Sequence, residues 1–266
     1  MATPALEPAP PSQKRFQSAE VTVISLLCLV LTIASPLYMS PRSAWLLVAA
    51  SMLLFLLFLG RWISGRALSI FVTERNLMSL SRFQMVCWTV LLLSAFFVIA
   101  VERLHVLKSN PAALPLNIVM DWRIWALMGI SATSLVGSPL LLNSKGTQAP
   151  DEKTIDKAAK ALNEPAADIQ NNSQGKLYSN PAIADAAITD MFQGDEVRDT
   201  AYVDVSKVQM FYFTVIAIMV YAYALYSAMS NVYVQERFTM PSPSDALVAL
   251  LGISHAAYLT SKATQH

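Results

Sequence analysis

Apolar residues along the chain gather into six long blocks set apart by polar punctuation, at positions 21–38, 44–59, 83–101, 124–142, 208–229 and 246–259. A helix needs roughly 20 apolar residues to cross the hydrocarbon core of a bilayer, and most of these blocks approach that length. The last is the shortest, which predicts a span whose polar flanks or tilted neighbours carry its ends to the interfaces. The pattern therefore predicts an all-α, polytopic membrane protein with six transmembrane helices.

Composition agrees, with 55% hydrophobic and 14% charged residues and a mean hydropathy of +0.45. An ordinary soluble domain is less apolar than this. A net charge of +1, with no basic run interleaved with aromatics, gives no footprint for nucleic acid. Cys28 and Cys87 both fall inside apolar blocks, and no CxxC or Cys/His cluster exists, so neither a disulfide framework nor a zinc site is expected. No cofactor is expected either. Lys14 and Arg15 precede the first block as they would in a signal peptide, but Ser35-Pro36 breaks the small-residue exit and a second block follows at once. The segment reads as a retained anchor.

Basic residues near span ends set orientation. Six spans place fourteen of the nineteen on one side, including Lys14, Arg61, Arg75, Arg82, Lys145, Lys207 and Lys262; Arg42, Arg103, Lys108, Arg123 and Arg237 fall on the other. Both termini and the connection after the fourth span are thus expected in the cytoplasm.

Two stretches repeat. "SLSRFQMVCWTV" at 79–90 and "DVSKVQMFYFTV" at 204–215 align Ser81, Arg82, Gln84, Met85, Thr89 and Val90 with Ser206, Lys207, Gln209, Met210, Thr214 and Val215 at a constant offset of 125. "ALMGIS" at 126–131 and "ALLGIS" at 249–254 repeat at an offset of 123. Between them lie Pro111, Pro115 and Asp121 in one copy, and Pro241, Pro243 and Asp245 in the other. The chain thus divides into a disordered proline-rich cytoplasmic tail (1–19), an N-terminal transmembrane hairpin (20–62), a first repeat hairpin (63–142), a cytoplasmic amphipathic-helix segment (143–203) and a second repeat hairpin (204–266). Both repeat hairpins are expected to cross in the same sense, a parallel topology.

The Ser-x-x-Gln spacing predicts capping boxes, with Ser81 and Ser206 at the N-caps and Gln84 and Gln209 reaching back. Arg82 and Lys207 are expected to snorkel to the headgroups. The alternative places Gln84 and Gln209 on a cytoplasmic vestibule. Gly129, Thr133 and Gly137, repeated as Gly252, Ala256 and Thr260, form small-xxx-small stripes expected to pack helices against the other unit or another subunit. His255 is the one ionisable residue deep in a span, either a pH-sensitive gate or a neutral ring bonded to Thr214 or a tyrosine. No HExxH, aspartate pair or phosphate-cradling glycine loop appears, so an enzyme is not expected.

In the connection, Ile155, Ala158, Ala159 and Leu162 predict an amphipathic helix. Asn180-Pro181 opens a second predicted helix with Ile183, Ala184, Ala187, Ile188, Met191 and Phe192 on one face, ended by Gly194. That face is expected to dock on the protein's own helix ends or on a partner, with Ile188, Met191 and Phe192 as partner anchors. The ordered trio of "SLSRFQM..WTV", "DMFQGDEV..AYVDVSKVQMF.FT" and "ALLGISHAAYLTSKA" resembles a family of uncharacterised bacterial inner-membrane proteins over residues 61–266. The resemblance implies a bacterial inner-membrane setting and supplies no activity. Two functions remain open. One is a non-catalytic anchor or scaffold, oligomeric or bound to a membrane or cytoplasmic protein. The other is a pore or carrier with Gln84, Gln209, Thr89, Thr214 and His255 on its path.

Overall fold

The computed structural model describes residues 18–109, 118–232 and 238–264. Residues 1–17, with Lys14 and Arg15, and Pro111, Pro115 and Arg237 lie outside them. Among the described residues six helices are long and apolar enough to span a bilayer: α1 (Ser18–Tyr38), α2 (Pro41–Ser64), α3 (Leu80–Ser109), α4 (Trp122–Gly146), α7 (Val205–Ala228) and α8 (Asp245–Ala263). The connection between the fourth and fifth spans adds α5 (Glu152–Leu162) and α6 (Ala166–Asn172). The protein is an all-helical multi-pass membrane protein.

Local chemistry sets the turns. Ser40 caps α2 by accepting from the Ser43 amide, and Pro41 follows at the first helical position, where no amide proton is needed. Gly65 ends α2 at φ 79°, a left-handed conformation that favours glycine. The hairpin is fastened by small polar groups: Ser51 Oγ donates to the Cys28 carbonyl at 2.8 Å, and Thr32 Oγ1 donates to Ser51 at 3.2 Å. Lipid offers no hydrophobic drive for helix association, so such close contacts and hydrogen bonds hold spans together.

Helix α3 is the hub, packing against α1, α2, α4 and α7. Its Trp88, Leu92, Ala95 and Ile99 are buried with Ala44 and Val48 of α2, Ile124 and Leu127 of α4, Ala217, Tyr221 and Leu225 of α7 and Leu251 of α8. Trp45 donates from Nε1 to Ser94 Oγ at 3.0 Å within this core. Across the two later hairpins, α3 meets α7 and α4 meets α8. Their external loops also touch: β1 (Ile118–Val119) pairs in parallel with β2 (Phe238–Thr239). Beside them Arg123 reaches Asp245 with two bonds, at 2.5 and 3.1 Å, and Asp121 at 3.1 Å. Asp121 caps α4, whereas Ser244 caps α8 and Asp245 is its first helical residue.

The connection folds over the opposite end of the bundle. Ile155, Ala158 and Ala159 of α5 are buried with Ile169, Tyr178, Val197 and Leu77, giving a small core of their own. The helix expected after Asn180-Pro181 does not form. In its place are 3-10 turns at Ile183–Asp185 and Ile188–Phe192. The cause is local: Asp185 and Asp190 each accept from the amide three residues earlier, at 3.1 and 2.8 Å, an alternative that competes with α-helical bonding. Asn180 then exchanges side-chain bonds with Asn76, tying the connection to the loop before α3.

Candidate functional site

Where the connection meets the spans, one carboxylate gathers three bases. Asp195 Oδ1 lies 2.7 Å from Arg75 Nη2, and its Oδ2 lies 3.0 Å from both Lys207 Nζ and Lys262 Nζ. The bases come from the loop before α3, the start of α7 and the end of α8. All four side chains are buried, with exposures of 12% or less. Burial alone would raise the Asp195 pKa, but Lys207, Lys262 and Arg75 hold it well below the ordinary value. Lys207 also donates to the Gln193 carbonyl at 2.6 Å, and Arg75 to the carbonyls of Tyr178 and Asp195. A neighbouring cluster pairs Glu196 with Lys145 at 2.7 Å and with Arg198 at 3.1 Å.

The knot borders a cavity of about 810 Å³ between α3, α4 and the connection. Tyr258 stands at its polar end, with its ring 4.6 Å from Lys262 Nζ and its hydroxyl 3.4 Å from both Ser81 and Ser138. Met85, Val86, Leu135 and Val136 line the other end.

The capping boxes form differently from the expectation. Ser79 occupies the position before α3, its carbonyl accepting from Phe83 and its hydroxyl facing the Arg82 amide. Asp204 caps α7 by accepting from the amides of Ser206 and Lys207. Caps at Ser79 and Asp204 keep the offset of 125 but begin both helices two residues early. Ser81 and Gln84 are thereby carried into the helix. Ser81 turns to Tyr258, and Ser206 Oγ donates to Asp204 at 2.5 Å. Gln84 is fully buried and donates to Thr214 Oγ1 across the α3–α7 contact, while Gln209 is exposed. Lys207 faces Asp195 rather than the headgroups.

Within the chain, only part of the expected packing stripe meets the facing helix. Gly129, Thr133, Ala256 and Thr260 are exposed, and a Cβ on Gly129 would meet nothing within 4 Å. Gly137 faces Leu259 and Gly252 faces Ile130 only at ordinary contact distance. On the adjoining face of the α4–α8 contact, buried Ser134 meets His255 and buried Ser138 meets Tyr258, with Ser131 and Ser254 buried as well. His255 is bonded through Nδ1 to Ser134 Oγ at 2.5 Å, not to Thr214 or a tyrosine. Neither residue lines the large cavity.

Two of the three partner anchors are used internally. Met191 is 5% exposed and Phe192 stacks edge-on against Phe211 of α7 at 5.2 Å, in a cluster with Val72, Met78, Leu80 and Met210. Ile188 stays 63% exposed. Sequence reasoning missed the role of Asp195, Arg75 and Lys262. Asp195 had no expected role, and the bases served only as topology markers. Among the described residues no group of three or more His, Cys, Asp or Glu side chains could hold a metal ion.

The arrangement defines a multi-pass membrane protein with a polar lid locked onto one end. No family model, no curated protein and no solved structure matches the chain.

Proposed function

We propose that the protein is a non-catalytic anchor or scaffold of the bacterial inner membrane, built on two parallel repeat hairpins, which holds residues 143–203 at the cytoplasmic surface for a protein partner. The observation that carries this reading is the Asp195 knot, which joins the connection to the start of α7, the end of α8 and the loop before α3. A connection fastened at three places is a fixed surface, not a gate. The cross-unit pairs α3–α7, α4–α8 and β1–β2 support the repeat reading. The excess of basic residues at the knot's end supports a cytoplasmic assignment for that end.

Support for a pore is weaker. Gln84 is engaged with Thr214 and His255 with Ser134, Gln209 is exposed, and none of the five residues expected on a path lines the cavity.

The test is affinity purification of the full-length protein from its membranes, alongside ion-flux measurements in proteoliposomes. The reading expects a stoichiometric protein partner that is lost on Ile188→Asp while insertion and melting are unchanged, and no flux. Flux, or partner capture indifferent to every exposed substitution in 143–203, would overturn it.

A further inference from the structure

Four bases line the polar end of the cavity: Arg75, Arg82, Lys207 and Lys262. Among the described residues Asp195 is the carboxylate that pairs with Arg75, Lys207 and Lys262. Arg82, half-buried, has no side-chain partner among the described residues. The other acids on the lining do not balance them. Asp190 spends its carboxylate on the Met78 and Ala187 amides, at 3.1 and 2.8 Å, and Glu74 is exposed at the rim. Neighbouring Lys145 and Arg198 already share Glu196. Four cations that share one carboxylate leave this end of the cavity strongly positive, a field that attracts an anion.

The uncharged groups point the same way. The hydroxyls of Ser81 and Ser138 each lie 3.4 Å from that of Tyr258, long for hydroxyl pairs, and both serines can turn toward a better acceptor. Cations and hydroxyls together make a donor-rich, acceptor-poor wall, which suits an anion with several oxygens. The rest of the cavity differs. It runs between α3 and α4 past Met85, Val86 and Leu135 to Val136 and Leu140, which are 60% and 68% exposed on the outer face of α4. The charged pocket therefore continues into an apolar groove open sideways to the hydrocarbon.

We propose that this cavity binds one anionic lipid through its phosphate, with the phosphate oxygens against Arg82, Lys262 and Tyr258 and a hydrocarbon chain along the α3–α4 groove. The polar end recognises a phosphate oxyanion from any source; the groove selects the lipid-borne form. Arg82 and Lys207, equivalent positions of the two repeats, both line the phosphate end. Because the site lies beside the Asp195 knot, the lipid fastens the lid as well as filling the space beneath it. This inference does not depend on the scaffold reading.

The experiment uses the full-length protein, delipidated in a neutral maltoside detergent and titrated with phosphatidylglycerol, phosphatidylcholine or inorganic phosphate. Native mass spectrometry counts bound lipid, and thermal unfolding reports its effect. The expected result is one retained phosphatidylglycerol per chain, little retained phosphatidylcholine, and a rise in melting temperature with phosphatidylglycerol alone. Arg82→Gln removes no internal contact, so its lipid-free melting should match the parent while phosphatidylglycerol affinity falls at least tenfold. Leu135→Trp, which fills the groove, should weaken the lipid similarly. Equal retention of both lipids, or unchanged affinity in a normally melting Arg82→Gln variant, would overturn the proposal. Inorganic phosphate matching phosphatidylglycerol, with Leu135→Trp without effect, would also overturn it, since the site would then take a soluble anion.

Discussion

Arg82 and Lys207, the bases that follow Ser81 and Ser206 in the two related stretches, line one cavity at one end of the bundle. Equivalent positions of hairpins that crossed in opposite senses would sit a membrane thickness apart. Their meeting is what the proposed parallel repeats require. The two bases differ in use: Lys207 is committed to Asp195, while Arg82 is not.

Asp195 is expected to be the most sensitive position in the connection. Removing one partner from a buried ion cluster costs about 3–5 kcal/mol, because the charges left behind stay uncompensated. Asp195→Asn keeps the shape and removes the charge, so it should lower the melting temperature and expose 143–203 to protease. Parent-like protease resistance would show that the knot contributes little.

Acid should act on the same group. A carboxyl whose pKa is depressed on folding contributes its full stability above the ordinary value of 3.8 and loses it as pH falls below that value toward the folded one. Melting followed from pH 7 downward should thus lose this contribution only below the ordinary carboxyl range, and Asp195→Asn should flatten that acid limb. A limb that is as steep in the variant would assign acid sensitivity elsewhere.

Gln84 and Thr214 offer a measurable cross-unit bond. Hydrogen bonds between membrane helices average about 0.6 kcal/mol, with a maximum near 1.7 kcal/mol, in double-mutant cycles. The cycle of Gln84→Leu, Thr214→Val and both together should show coupling in that range. Additive single effects would mean that the pair does not hold α3 to α7.

Two glycines should behave oppositely. A Cβ on Gly194 would overlap the Asp199 carboxylate and backbone, whereas one on Gly129 meets open space. Gly194→Ala should destabilise the connection by about 1–3 kcal/mol, the usual cost of overpacking, while Gly129→Ala should leave melting nearly unchanged. Melting curves of the two variants decide it.

These contrasts mark what was legible in the sequence. Six spans could be read because only long apolar blocks are tolerated in hydrocarbon, and α5 because Ile155, Ala158 and Ala159 carry a clear helical period. Which face of a span packs was not legible. Gly129 and Thr133 share a helix with Ser131, Ser134 and Ser138, and in an all-apolar helix the choice between neighbouring faces belongs to the tertiary structure. The same holds for start positions: Ser79 and Ser81 are both plausible caps, and burial of Gln84 decides between them. The 3-10 turns hid behind an amphipathic pattern because Asp185 and Asp190 bond backward to the chain. The knot was invisible for a simpler reason, since its members lie far apart along the chain and only folding brings their charges together.

The most direct test of the account is membrane-impermeant thiol labelling of intact and permeabilised cells, with both native cysteines replaced and single cysteines placed at Arg82, at exposed Gln209 and at exposed Asp245. Parallel hairpins joined at one charged end require 82 and 209 to react from the same side and 245 from the other. Labelling of 82 and 209 from opposite sides would contradict the shared threading, and with it the common cavity and the lid fixed across it.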